Sequence, residues 1–531
     1  MSNRPLDRDN MYFNLNDPTS LIAQDLSELK KGGNSVDAQA RADIAEANSK
    51  IEDLQSDFDT NTPQLLETMK KTDNIVSLSS YPRLVAETDD TPRFNRAIAA
   101  VPSNGTLKVD DGEYLIDPTT DSVNSIGGIK LKSNMVLLLA KNTILRAKPV
   151  SADRYNVVSL YDIENVAILG GVIQGERTTH TGTTGEWGFG ISIRGCKNVN
   201  VTQTTIKDCW GDGIYIGGGS SYTTCENVTV RGVVCDNNRR QGISVVALKK
   251  GLIVESTCSN TNGTAPAAGI DLEPNNGEVV ENVTLLNNFF LNNAGDGILV
   301  SRRTDLAGLA FTDRNIIQGN VCSGNGANGI NLSNTNECVV SSNVVKNNNI
   351  GIYIGNSKNN NVSLNVATDN INQGVYLSSA NGNIVTGNNV ARNGNHGLQI
   401  YQSSYNSISN NSVRENKRNG ITVAVGSANN SVINNSVEAN SQETTNTYDN
   451  IRVYSDADYN NIQGNTARKG TLTNTPRAGI SIEDSTSSYN LVINNDTYAG
   501  GSTYGINNTA SNTQFGAGNR VLNGTWNVAA S

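Results

Sequence analysis

From residue 190 onward the chain repeats one short phrase, a glycine followed by apolar residues one and three places later. It reads GISI at Gly190, GIYI at Gly213, GISV at Gly242, GIDL at Gly269, GILV at Gly297, GINL at Gly329, GIYI at Gly351, GVYL at Gly374, GLQI at Gly397, GITV at Gly420 and GISI at Gly479. A period of two marks a strand that sends alternate side chains into a core. The steps from Gly329 are 22, 23, 23 and 23 residues, too short for a strand–helix repeat and too regular for a sandwich. One coil of a parallel β-helix fits.

Two further columns keep the same period. Four residues before the glycine stand Asn238, Asn293, Asn325, Asn347, Asn370, Asn393 and Asn416, which predicts an asparagine ladder at one turn, rung on rung about 4.8 Å apart. Three residues earlier come Ile206, Cys235, Phe290, Cys322, Val344, Ala367, Val390 and Val413, the inward column of another strand. Parallel crossovers are overwhelmingly right-handed, so the fold class expected is all-β, a right-handed parallel β-helix with a short α-helical N-terminal region.

The N-terminal part follows another rhythm. SLIAQDLSELKKGG reads as a helix ended by Gly32 and Gly33. Ile44, Ala47, Ile51, Leu54 and Phe58 fall at a and d spacing between charged residues, the pattern of a short self-associating bundle; the plainer alternative is one amphipathic helix packed on its own chain. Pro92 to Ala100 is expected to cap the open end of the β-helix. The division expected is 1–80 for the helical region, 81–125 for the β-helix opening and cap, and 126–531 for the β-helix.

Composition narrows the partners. The 531 residues carry a net charge of −9, which argues against a nucleic-acid partner, and no stretch approaches the roughly 18 to 20 apolar residues of a membrane span. Seven cysteines without a CxxC suggest neither a disulfide framework nor a zinc site. Two histidines, His180 and His396, exclude a multi-histidine metal centre.

Candidate chemistry appears where the outward positions change character. Two residues after the glycine run Ser192, Tyr215, Ser244, Asp271, Leu299, Asn331, Tyr353, Tyr376, Gln399 and Thr422; four after it, Glu273 is the acid. Asp271 and Glu273 therefore share one face, with Cα atoms about 6.5 to 7 Å apart. Paired carboxyls can split into general acid and general base, retaining or inverting according to their separation. The steps from Gly213 to Gly329 lengthen to 29, 27, 28 and 32 residues, so loops gather around the pair. Arg239, Arg240, Arg302 and Arg303 stand ready for anionic groups of a polymer, with Tyr215, Trp187 and Trp210 as sugar platforms. Asp212 and Asp296 are secondary candidates, and a rival cluster holds Arg452, Tyr454, Glu483 and Asp484.

DDTPRFNRAIAAVPSNGTLKVDDGEYLI, from Asp89 to Ile116, resembles the opening motif of pectate-lyase-like β-helix proteins, and MYFNLNDPTSLIAQDLSELKKGG resembles the virion-attachment end of phage tail spikes, closest to the pre-neck appendage proteins of small Bacillus phages. The resemblance implies a homotrimer located on the virion as a tail or neck appendage, joined to other virion proteins through its N-terminal region and acting at the host cell surface. It implies binding and depolymerisation of a cell-wall polymer, with wall teichoic acid favoured, by acid/base hydrolysis at Asp271 and Glu273. The alternatives are a receptor-binding spike without turnover and a polysaccharide lyase. No cofactor is required for hydrolysis; the pectate-lyase likeness implies Ca²⁺ on the two acids as a variant, the metal site otherwise being unassigned.

Overall fold

The computed structural model describes residues 38–53, 74–119, 126–302, 312–521 and 526–528. Their strands form three parallel sheets of 17, 16 and 16 strands. One coil shows the order: Cys225–Arg231 lies in sheet I, Val234–Asp236 in sheet II and Ile243–Val245 in sheet III. Each strand pairs with its counterparts one coil before and after, as Ile243–Val245 does with Ile214–Gly217 and Ile270–Leu272. The result is the expected right-handed parallel β-helix.

The core is a set of stacks. Ile193, Ile216, Val245, Leu272, Val300 and Leu332 follow one another up the inside of sheet III without solvent exposure. All seven cysteines are free and buried, and burial pushes the Cys225 thiol up to about 12, so these sulfurs act as packing groups. The motif glycines answer to close approach. A Cβ on Gly213 would meet the Gly242 carbonyl oxygen at 2.6 Å, and one on Gly269 the Gly297 oxygen at 2.7 Å.

Each of the three turns carries its own asparagine ladder. One between sheets II and III runs through Asn293, Asn325, Asn348, Asn370, Asn393 and Asn416. Asn348, not Asn347, is the ladder residue, because this 22-residue coil has one residue less in its turn. Asn347 sits just before it in the left-handed region, with φ 58°. The inward residue slips by one as well, to Val345. A second ladder joins sheets I and II from Asn288 through Asn320 and Asn343 to Asn519, and a third joins sheets III and I from Asn360 through Asn383 and Asn406 to Asn490. Each amide thereby satisfies turn backbone that no sheet partner reaches.

The helix Thr91–Ala100 buries Phe94, Ala97 and Ile98 against the first coils, as expected of a cap. The a and d stripe finds a partner within its own chain, as in the plainer alternative. Residues 38–53 form a helix whose buried stripe, Ala40, Ile44, Ala47 and Ile51, is directed at its own chain. Ala47 and Ile51 pack on Leu252, Val254, Leu286 and Ile316 of sheet I, and Gln318 and Asn361 donate side-chain amides to Asn48 Oδ1 at 3.0 Å and Asp43 Oδ2 at 3.1 Å. Leu54, Phe58 and the predicted helix before Gly32 lie outside the described residues.

Candidate functional site

The outward column of sheet III has the register its repeats predict: Ser192, Tyr215, Ser244, Asp271, Leu299 and Asn331 lie in sequence on adjacent strands. Position and exposure nevertheless part company. Asp271 points away from the core but is only 2% exposed, while Glu273, just past the strand, is half-buried. The two acids expected to share one outward face are therefore one enclosed carboxyl and one at the surface.

Asp271 sits in a frame of amide and guanidinium groups. Gln241 donates to its Oδ2 at 2.9 Å and accepts from the Ala268 backbone N–H at 2.9 Å; Oδ1 is buried and has no hydrogen-bond partner among the described residues. Burial, reinforced by the charge of Glu273 and only partly opposed by Arg240, holds the Asp271 carboxyl well above the usual range. The enclosure favours the protonated form, the state of a general acid.

The two secondary acids belong to this neighbourhood. Asp212 is fully buried, and desolvation pushes it up to about 6 despite Arg240. Arg240 Nη1 lies 3.2 Å from Asp212 Oδ2 and its Nε 3.5 Å from Glu186. Asp296 accepts from the backbone and side-chain N–H groups of Asn328 at 2.7 and 2.8 Å and from Asn331 at 2.9 Å, yet burial still raises it. Asp212 and Asp296 both act electrostatically on Asp271.

Other predicted residues are engaged internally. Trp210 has His180 stacked at 3.9 Å and the Arg239 guanidinium also 3.9 Å from its centroid. Two such groups cannot share one face, so both faces are covered and Trp210 is a loop anchor, not a sugar platform. Arg239 also donates to the Gly185 and Trp210 carbonyls at 2.8 and 3.3 Å, which removes it from an open anion-binding role. Tyr215 stacks on Phe189 at 4.6 Å under the Arg194 guanidinium at 4.3 Å. Trp187 keeps 39% of its surface open, with Arg154 5.0 Å from its ring. Arg302 is half-buried beside these coils, its backbone N–H bonded to Ser333; Arg303 lies outside the described residues.

The residue that sequence reasoning missed is Gln241, while His180 and Glu176, already singled out in the sequence, form a pair under Trp210. His180 Nδ1 is 2.7 Å from Glu176 Oε1 with both side chains fully covered, and Tyr155 lies buried beside them. Gln241 stands immediately before a motif glycine, the position also held by Asp212 and Asp296, and that shared offset is the signal that marks it.

The rival cluster is a closed ion-pair network. Arg477 bridges Asp449, at 2.6 Å, and Glu483, and Arg452 reaches Glu483 at 2.5 Å. Despite burial, the two guanidiniums hold Glu483 below its ordinary value, so it has no proton to donate near neutrality. Asp484 accepts from Ser455, Thr486 and Ser487 in a turn. Among the described residues no group of three or more His, Cys, Asp or Glu side chains suited to a metal occurs, so a Ca²⁺ ion on Asp271 and Glu273 would have to draw its other ligands from carbonyl, amide or water oxygens.

Comparison with known proteins agrees with the fold. Residues 122–311 match the model of the right-handed beta helix region, and residues 303–455 match that of the periplasmic copper-binding protein NosD. Copper ligation does not fit here, since Cys322 and Cys338 are core residues and buried His396 accepts the Asn419 backbone N–H through Nδ1 at 3.2 Å. Two Bacillus subtilis proteins are similar: the uncharacterized protein YclG, 31% identical over 270 residues, and the SPbeta prophage-derived uncharacterized protein YorA, 34% identical over 212. The alignments cover 44% and 35% of this chain and 46% and 35% of the relatives, so the chain spans about half or less of their length. Among solved structures, pre-mature bacteriophage phi29 gene product 12 superposes with a TM-score of 0.57 at 16% identity, covering 83% of this chain and 73% of that one. The tailspike of E. coli bacteriophage HK620, solved in complex with a hexasaccharide, gives 0.53 at 15% identity, with 85% and 80% covered. The chain thus has the right-handed β-helix fold of phage tail spikes.

Proposed function

We propose that this chain is a phage tail spike or appendage protein, working as a homotrimer on the virion, that binds a host cell-surface polymer and cleaves it by acid/base hydrolysis, wall teichoic acid being the substrate class. The observation that carries the reading is the enclosed Asp271 carboxyl beside Glu273, burial favouring its protonated form, in a stretch of sheet III where turns lengthen and four acids converge. In this reading Asp271 protonates the leaving oxygen and Glu273 activates water or attacks directly.

The shape of the molecule supports a polymer as ligand. Along the same outward face, three rungs beyond Asp271 and so about 14 Å away, Tyr353 begins a run with Tyr376 and Tyr401, centroids 5.6 and 6.4 Å apart. Half-buried tyrosines in a row suit successive sugars or glycerol units of a chain laid parallel to the axis. A tail spike of this fold in complex with a hexasaccharide is consistent with that use.

A second reading, a receptor-binding spike without turnover, draws on a specific observation: Asp271 is only 2% exposed, so the acid must be uncovered before it reaches a substrate. The test is release of fragments from Bacillus wall teichoic acid, read by mass, for wild type, Asp271→Asn and Glu273→Gln. Hydrolytic fragments from wild type, reduced about 10²- to 10⁴-fold in each variant, support the enzyme; retention of polymer without fragments supports the receptor; unsaturated fragments mean a lyase.

A further inference from the structure

At the turn from sheet III to sheet I, every coil places one residue in the left-handed region. In the earlier coils it is asparagine or glycine at Asn198 (φ 54°), Asn227 (57°), Asn282 (55°), Asn359 (56°) and Gly382 (68°), residues suited to that conformation, and an exposed charged residue at Lys250 (57°), Arg314 (58°) and Glu337 (57°). Toward the C-terminus the same column reads Tyr405 (60°), Asn429 (57°), Tyr459 (54°) and Tyr489 (57°). A bulky residue is disfavoured in this backbone region. Asparagine, glycine and charged residues all serve in this column, and nothing in the local backbone calls for an aromatic ring there.

Nor does packing account for it. Tyr405, Tyr459 and Tyr489 are 70%, 57% and 50% exposed, and the last two rings stack on each other at 5.0 Å, 8° from parallel. Each is followed by a ladder residue, Asn406, Asn460 or Asn490, whose amide is tied to the neighbouring coils. The rings are consequently held on a rigid edge. Between and beside them lie polar groups, the exposed Asn429 and the carboxylate of Asp458, which accepts the Ser488 backbone N–H.

We infer that this tyrosine ridge is a carbohydrate-binding site, separate from the Asp271 cluster, that takes the apolar faces of pyranose rings in an extended polysaccharide. Flat aromatic surface framed by amide and carboxylate groups is the combination that recognises a sugar, with one apolar face and a rim of hydroxyls. A second copy of this chain is a poorer occupant. Three tyrosine rings, each about half open, offer a few hundred Å² of contact, against about 800 Å² per partner in a standard stable interface.

The test uses the full chain and the double variant Tyr459→Asn/Tyr489→Asn, which installs the residue that Asn429 already places in this column and so should fold at least as well. The probes are Bacillus subtilis wall sacculi with their wall polymers and sacculi stripped of them by acid. The expected result is a drop of at least tenfold in the affinity of the variant for whichever sacculus the wild type binds, with an unchanged or higher Tm. Loss on intact sacculi alone identifies a wall polymer as the glycan; loss on both identifies peptidoglycan. Equal binding by variant and wild type, or no binding of the wild type to either preparation, overturns the proposal. So does a variant that sediments as a smaller species than the wild type, which would make the ridge a contact between copies. Fragment release plays no part in these readouts, so the ridge and the Asp271 chemistry stand or fall separately.

Discussion

Gln241 holds Asp271 from the preceding coil, donating its side-chain amide to Oδ2 at 2.9 Å while its own carbonyl is fixed by the Ala268 backbone N–H, also at 2.9 Å. The amide is thus oriented before it meets the carboxyl, and only one of the two carboxyl oxygens is engaged by it. A hydrogen bond donated to a carboxylate favours the ionised form, so Gln241 moderates the upward push that burial and Glu273 give to Asp271. It is a positioning residue for the proposed acid.

Gln241→Met keeps the volume and removes the donor. The Asp271 pKa should rise further, and because the proposed acid is active when protonated, the alkaline limb of the kcat/KM profile should move to higher pH. Turnover at the optimum should fall about threefold to tenfold through loss of orientation. An unshifted limb in a folded variant would remove Asp271 from the acid role.

Two buried groups act on the stability of the protein in opposite directions over nearly the same pH window. His396 is buried and its pKa is lowered to about 4, chiefly by desolvation with Arg418 and Arg452 adding repulsion. The unfolded chain then binds more protons between about 4 and 6.5, so stability is lost as pH falls through that window, by about 3 kcal/mol in full. Asp212 has the opposite sign: with its folded value up to about 6, stability is present below its ordinary carboxylate value and is lost as pH rises toward 6. Between about pH 4 and 6 the two effects offset, so thermal scans should find His396→Gln losing stability as pH rises through that window and Asp212→Asn gaining it, with the wild type flatter than either. Variant profiles that run parallel to the wild type's would contradict both assignments.

The ladders should dominate local stability. Asn388 is 1% exposed; its Oδ1 accepts from the backbone and side chain of Asn365, and its Nδ2 donates to Asn411 Oδ1 and to the Val362 carbonyl. Asn388→Ala orphans donors and acceptors on three coils at once, so it should cost about 3 kcal/mol or more. Asn359→Gly, at the exposed left-handed position of a neighbouring turn, should be nearly neutral. Denaturant midpoints for the two variants check the contrast, and equal values would mean the ladder contributes little.

Much of this architecture is written in the spacing. The 22- and 23-residue steps and the glycines specify coil, sheet and register, because stacked coils demand the same residue at the same place. The ladders through Asn288 and Asn360 were equally present as columns and go unread only because the glycine phrase anchors one turn. Asn347 misleads because a shortened turn slips the offset by one. Loop-to-coil contacts are another matter: no period reveals that Trp210 is held between His180 and Arg239, or that Asp271 is closed over while Glu273 is not. The apolar outward residues Leu252 and Ile316 did carry a signal, since a strand apolar on both faces needs a cover.

That cover is the helix of residues 38–53, and its docking leads to the last prediction. Leu252, Thr284, Ile316, Val339 and Asn361 form one outward column on adjacent strands of sheet I. Four rungs span about 19 Å and a 16-residue helix about 24 Å, so one matches the other. Ile51 packs in the apolar cluster with Leu252 and Ile316, while Asp43 meets Asn361, hence the helix runs antiparallel to the climb of the coils. Ile51→Ser should weaken docking by about 2–4 kcal/mol, raising amide exchange across residues 38–53 and, more modestly, at the exposed edge of sheet I, with the inner stacks unchanged. Sedimentation should report the same oligomer before and after. Should Ile51→Ser instead dissociate the protein into smaller species, the apolar stripe serves assembly between chains, and the self-association expected from the a and d spacing is restored.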